Sequence, residues 1–181
     1  MRRTTIIVVS ALAIASVLGA NRSILSPKLV WNASASVPVG LYRIDDGKRA
    51  SAGDLVAIKP PCWLAAFLAD RGYLPNGALL LKRILAVPGQ VVCRNRLTMS
   101  VDGNEVGMAR ERDRVGRALP GWLGCRRIPV GAIFLMNRQV QDSLDGRYFG
   151  PLPTDQIIGR AVPLWTDENG DGLFQWRART R

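Results

Sequence analysis

Histidine is absent from all 181 residues of this chain. That excludes imidazole as a general base or metal ligand, so a serine nucleophile here can be activated only by lysine or a carboxylate. Cysteine is scarce, and Cys62, Cys93 and Cys125 form no C-x-x-C pair. Zinc is therefore not expected, nor is any other metal or cofactor. Acidic residues number 14 against 25 lysines and arginines, giving a formal charge of +11. A surplus of that size suits anionic partners, nucleic acid or lipid headgroups, without bearing on fold. Only one long apolar run occurs, and there is no internal repeat or low-complexity tract.

That run decides between the anionic partners. Arg2 and Arg3 precede an uncharged stretch from Thr5 to Ala20, closed by Asn21-Arg22. Sixteen residues are short for a spanning helix, which needs about 20, although Ser23 to Leu25 extend it if Arg22 snorkels. A membrane anchor and a cleaved signal both fit; a core helix of a cytosolic protein fits less well, because the segment is apolar all round. The flanking arginines favour an N-in, C-out orientation. The expected organisation is a segment over residues 1–25 and one exported domain over 26–181. Membrane lipid is then the expected partner, and nucleic acid is not. In an oxidising compartment Cys93 and Cys125 are expected to pair, leaving Cys62 as a small buried hydrophobe; three free core thiols are the alternative.

The rest of the chain reads as mainly β. Residues 26–36 are extended or loop, leading into a strand at Gly40–Ile44 and a turn at 45–48. Further strands are expected at Leu55–Ile58, Leu79–Val87, Val91–Cys93, Leu97–Val101, Ala132–Met136 and Ile157–Trp165. One short helix is expected from Cys62 to Arg71, with Trp63, Leu64, Phe67 and Leu68 at helical spacing and Gly72 as its stop. Residues 107–121, rich in Arg, Asp, Glu and Gly, read as an exposed excursion.

Lys82 lies inside an apolar strand. A buried ammonium is costly, so the side chain either snorkels from an edge strand or loses its proton. Service as a general base near neutral pH requires its pKa to fall by about 3 from an ordinary value near 10.4, roughly 4 kcal/mol. With Lys82 inward, Arg83 faces out. Ser36, taken alone, is a turn residue before Val37-Pro38.

In combination these segments are similar to the S26 signal peptidases, in their conjugative-transfer (TraF-type) branch. Asn32-Ala33-Ser34-Ala35-Ser36-Val37-Pro38-Val39-Gly40 resembles the nucleophile segment. Leu81-Lys82-Arg83 with Val87-Pro88-Gly89 resembles the lysine box, and Ser143-Leu144-Asp145-Gly146-Arg147-Tyr148 the last box. The resemblance implies Ser36 as nucleophile, Lys82 as general base, and Ser34 with the Ser36 N–H as oxyanion hole. It further implies that Ser143 orients the lysine and that Asp145 pairs with Arg147, with Asp142 a second candidate acid. Gln90 stands where the family has aspartate. The implied fold is a catalytic domain of coiled antiparallel sheets whose apolar rim meets the membrane.

The implied activity is a membrane-bound serine endopeptidase of the bacterial inner membrane, its catalytic domain periplasmic, removing leader peptides from exported precursors such as a propilin. In this branch the acyl-enzyme is resolved by water or by an amine that closes a cyclic pilin. The alternatives are a non-enzymatic envelope or pilus-assembly protein with an inactive peptidase-like domain, and a self-cleaving repressor, for which no DNA-reading domain is visible. Asp167-Glu168-Asn169-Gly170-Asp171-Gly172 copies the first half of an EF-hand loop, but its twelfth position is Ala178, so it reads as a polar turn.

Overall fold

The computed structural model describes residues 7–10, 28–46 and 50–178. Residues 7–10 are helical, and the rest of the 1–25 segment lies outside the described residues. Among the described residues no helix is long and apolar enough to cross a membrane.

The described residues form twelve strands: β1 (Leu29–Asn32), β2 (Val39–Asp45), β3 (Leu55–Ile58), β4 (Leu80–Ala86), β5 (Val91–Asn95), β6 (Thr98–Val101), β7 (Asn104–Met108), β8 (Gly124–Arg127), β9 (Ala132–Leu135), β10 (Leu152–Pro153), β11 (Ile157–Asp167) and β12 (Gln175–Trp176). Beyond the helical residues 7–10, the described helices are α1 (Cys62–Asp70) and the single turn α2 (Gly146–Phe149), with a 3-10 turn at Thr154–Gln156. The larger sheet runs β1-β2-β11-β3-β4-β9-β10, with β12 beside β11; the smaller runs β7-β6-β5-β8. Every pairing is antiparallel.

The fold is mainly β, as the short apolar runs imply. β3 and β4 sit centrally, and all four residues of β3 are buried, as expected of a strand covered on both faces. One apolar cluster packs α1, through Leu64 and Leu68, on Val56, Ile58, Leu80, Ile84 and Leu135. A second lies between the sheets around Val92, Met99, Trp122, Phe134 and Met136. The β6–β7 connection is a two-residue turn with Asp102 at φ 48° and Gly103 at φ 82°, the left-handed pair a tight hairpin demands. Gly40 is obligatory for a different reason: a Cβ there would stand 2.2 Å from the Trp165 carbonyl on β11.

Three expectations need correction. Cys62 is exposed rather than buried, because α1 turns Leu64 and Leu68 inward and leaves its first residues, Trp63 included, facing solvent. Residues 107–121 are not a wholly exposed excursion, since Gly107 and Met108 end an unexpected strand, β7, and Ala109 is buried; a second unexpected strand, β8, follows at Gly124–Arg127. The helix content also exceeds one element, because Asp145 caps α2 by accepting a hydrogen bond from the Arg147 N–H. Cys93 and Cys125 face each other across β5 and β8 and form a disulfide. Trp31, Trp165 and Trp176, on β1, β11 and β12, are exposed; the Phe174 ring lies 5.9 Å from Trp31 and 4.7 Å from Trp165, and Trp176 pairs with Trp165.

Candidate active site

Lys82 occupies a central strand, not an edge, so snorkelling is closed to it. It pairs with Val56 of β3 and is 3% exposed. Its Nζ donates to Ser143 Oγ at 2.9 Å. Burial pulls its pKa down to about 8; the nearby Asp145 carboxylate resists this and Arg147 adds to it. Arg83, the next residue, is half-buried and donates to the Gly53 carbonyl at 2.8 Å.

Behind the lysine lies a buried ion pair. Arg147 meets both oxygens of Asp145, Nε to Oδ1 and Nη2 to Oδ2, each at 2.8 Å. The remaining guanidinium hydrogens reach the carbonyls of Val140 (2.7 Å), Ser143 (3.1 Å) and Met108 (3.2 Å). Burial alone would lower the Arg147 pKa, but the Asp145 hydrogen bond and charge carry it upward. Of the two candidate acids, Asp145 is the one against Arg147. Asp142 instead pairs with Arg110 at 2.8 Å and Arg114 at 2.7 Å near the surface.

Ser36 sits in the turn between β1 and β2, and Asn32 shapes that turn. The Asn32 Nδ2 donates to the carbonyls of Ser34 (2.7 Å), Val37 (3.0 Å) and Pro38 (3.1 Å). Its Oδ1 accepts from the Ser34 N–H and from Ser34 Oγ. The buried Tyr42 phenol adds a bond to the Pro38 carbonyl at 2.7 Å. Ser34 Oγ lies 3.0 Å from Ser36 Oγ. Since its one proton is directed at Asn32, the Ser36 hydroxyl is the donor in that contact. Among the described residues no hydrogen bond joins Ser36 to Lys82, and none uses the Ser36 backbone N–H.

The structure therefore brings Ser34, Ser36, Lys82 and Ser143 to one cleft of about 380 Å³. A second cleft, about 890 Å³, opens on the other side of Ser36 between the Ala35–Val39 and Met136–Val140 segments. Cys93 and Cys125 lie apart, in the smaller sheet. Among the described residues no cluster of acidic or cysteine side chains could hold a metal. Asp167 uses its carboxylate to accept the N–H groups of Gly170, Asp171 and Gly172, which makes the EF-hand look-alike a self-capped turn.

Asn137 escaped the sequence reading. It is 7% exposed, accepts from the Arg83 N–H, and donates to the carbonyls of Ser36 (2.8 Å) and Leu81 (3.3 Å), while its own N–H bonds Asp145. It thus ties the serine turn, the lysine strand and the acid–arginine pair together. The one local signal was a polar residue ending the apolar run Ala132–Met136.

The family model for "Signal peptidase, peptidase S26" matches residues 1–165. A conjugal transfer protein TraF of Agrobacterium fabrum is 36% identical over 152 residues, covering 75% of this chain and 81% of that protein. A probable conjugal transfer protein TraF of Sinorhizobium fredii is 39% identical over 145 residues, covering 75% and 76%. Among solved structures, a signal peptidase I of Enterococcus faecalis aligns with a TM-score of 0.37 and 18% identity over 62% of this chain and 97% of that one.

Proposed function

The chain belongs to the peptidase S26 family of signal peptidases, and from that premise we propose a serine endopeptidase working through a Ser36–Lys82 dyad. The single observation that carries the reading is Lys82: a lysine buried in a central strand, its pKa pulled to about 8, opening into the cleft that holds Ser36. Such a lysine is uncharged in a useful fraction of molecules near neutral pH, which an exposed lysine is not.

In the proposed reaction Ser36 Oγ attacks the scissile carbonyl carbon while Lys82 Nζ takes its proton. The lysine then gives that proton to the leaving amine as the C–N bond breaks, and next activates the water or amine that releases the acyl group. Ser34 Oγ and the Ser36 N–H are the candidate oxyanion donors; Ser34 must turn its proton from Asn32 toward the substrate to serve. Ser143 is the proposed orienting residue for Lys82, with Asp145 and Arg147 holding its loop.

The proposed substrates are leader peptides of exported proteins, a propilin of a conjugation or type IV secretion apparatus first among them. The names of the conjugal transfer relatives support that choice. The proposed location is the bacterial inner membrane with the catalytic domain on the periplasmic side. The arginine-flanked apolar N-terminus, the disulfide and the exposed tryptophan cluster support it.

Co-expression with a candidate propilin tests the chemistry. Ser36→Ala and Lys82→Ala should leave the precursor unprocessed, and Ser34→Ala should slow processing, by about a hundredfold for one oxyanion donor. Processing unchanged in all three would remove the dyad and favour a non-enzymatic assembly role.

A further inference from the structure

Ser36 stands between two clefts of unlike charge. The larger one is balanced: Arg83 and Arg138 face Asp167 and Glu168. The smaller one, which also holds Lys82, is not. Arg71, Arg110, Arg112, Arg114 and Arg117 line it against only Asp113 and Asp142, five guanidiniums to two carboxylates.

These arginines are held in place rather than loose. Arg110 and Arg114 both clasp Asp142, the residue before Ser143, and Arg117 pairs with Asp113 at 2.7 Å. Asp113 in turn accepts the Tyr73 hydroxyl. Arg71 reaches across to the Ala118 carbonyl and lies 4.8 Å above the Phe67 ring. The excursion is thereby fastened over the cleft, on one side to the Ser143 loop and on the other to the end of α1. Among the described residues two of these five arginines have no carboxylate partner: Arg71, and Arg112, whose Nη1 donates to the Gly116 carbonyl.

We infer that the cleft beside Lys82 receives an acidic stretch of the substrate polypeptide, with Arg112 its principal charge contact. This deepens the peptidase reading and rests on it, because Ser36, the proposed nucleophile, lines this cleft and a polypeptide laid across Ser36 extends into it on one flank. A guanidinium already positioned by backbone contacts, with its outer donors free, is matched to a carboxylate side chain. The neutral cleft across Ser36 makes the preference one-sided. Acidic residues on one flank of the scissile bond are favoured, and the other flank tolerates either charge.

The test is binding without chemistry. Full-length Ser36→Ala protein in detergent is titrated with two fluorescein-labelled decapeptides of small residues that differ only in two Glu replaced by Gln, at low and at high salt. The Glu peptide should bind roughly tenfold tighter at low salt, and the margin should shrink as salt rises. Arg112→Gln should abolish the margin, Arg112→Lys should restore part of it, and Arg126→Gln with Arg127→Gln on β8 should leave it intact. Equal binding of the two peptides overturns the inference. So does a margin that the β8 pair removes as effectively as Arg112→Gln, since that is a property of net charge. If Arg112→Gln weakens binding to phosphatidylglycerol vesicles and leaves the peptides alike, the cleft holds lipid headgroups and the inference fails. None of these outcomes depends on Ser36 cutting anything. Failure of the dyad appears separately, as processing that survives Ser36→Ala.

Discussion

Lys82 would serve two opposed demands in the proposed dyad, since the burial that lowers its pKa also costs stability. Its pKa is about 8 in the folded chain against an ordinary 10.5. The unfolded chain therefore holds the extra proton between those values, and stability rises with pH across that window. Below pH 8 the full cost of protonating a buried amine applies, roughly 3 kcal/mol. Lys82→Met should thus melt above the parent at pH 7 while processing nothing, and its advantage should shrink by pH 10; thermal unfolding at the two pH values checks this. The same shift predicts that kcat/KM climbs with pH through a single limb near 8. A limb well below 7, or none, would assign the base elsewhere. The two aspartates of the last box separate by the same reasoning. Asp145→Asn strands a buried guanidinium and should cost about 3 to 5 kcal/mol, whereas Asp142→Asn loosens surface pairs and should cost less than about 1, measured by denaturant unfolding.

At the level of the elements, legibility followed burial. β3, with four buried residues in a row, and β9 announced themselves as apolar runs, and Leu64 and Leu68 marked the inner face of α1. β8 did not, because all four of its residues are exposed and no alternation survives. Only Cys125 hinted at it, as a partner for Cys93. β11 ran to Asp167, past its expected end, because its far half pairs with β2, a contact that no local pattern contains. The bond between β5 and β8 closes a loop of 32 residues. Loop-closure entropy alone makes that worth about 3 to 4 kcal/mol. Replacing both cysteines by serine should lower stability by up to that amount and leave processing intact below the new melting temperature, since neither sulfur lies at the cleft.

Across the whole molecule, the candidate site is assembled from three stretches far apart in sequence, and this divides what was readable from what was not. Ser36, Lys82, Ser143, Asp145 and Arg147 were nameable because each stands in a recognisable local pattern. Asn137 and the arginines of the smaller cleft were not, because their meaning lies in distances between segments. Asn137 spans 101 residues to reach Ser36 and 56 to reach Leu81. Asn137→Ala should leave the fold largely in place but let the serine turn drift, lowering kcat by tenfold or more with little change in KM; steady-state kinetics decides it. A last consequence follows from the partner of β2. The strand that anchors the serine turn lies against β11, with Gly40 facing Thr166 from nearly the opposite end of the chain. Such non-local pairing forms late. A chain made from its N-terminus therefore carries Ser36 long before it has the strand that braces the serine turn, and on the proposed function it could cut nothing until the last tenth of its length had been added.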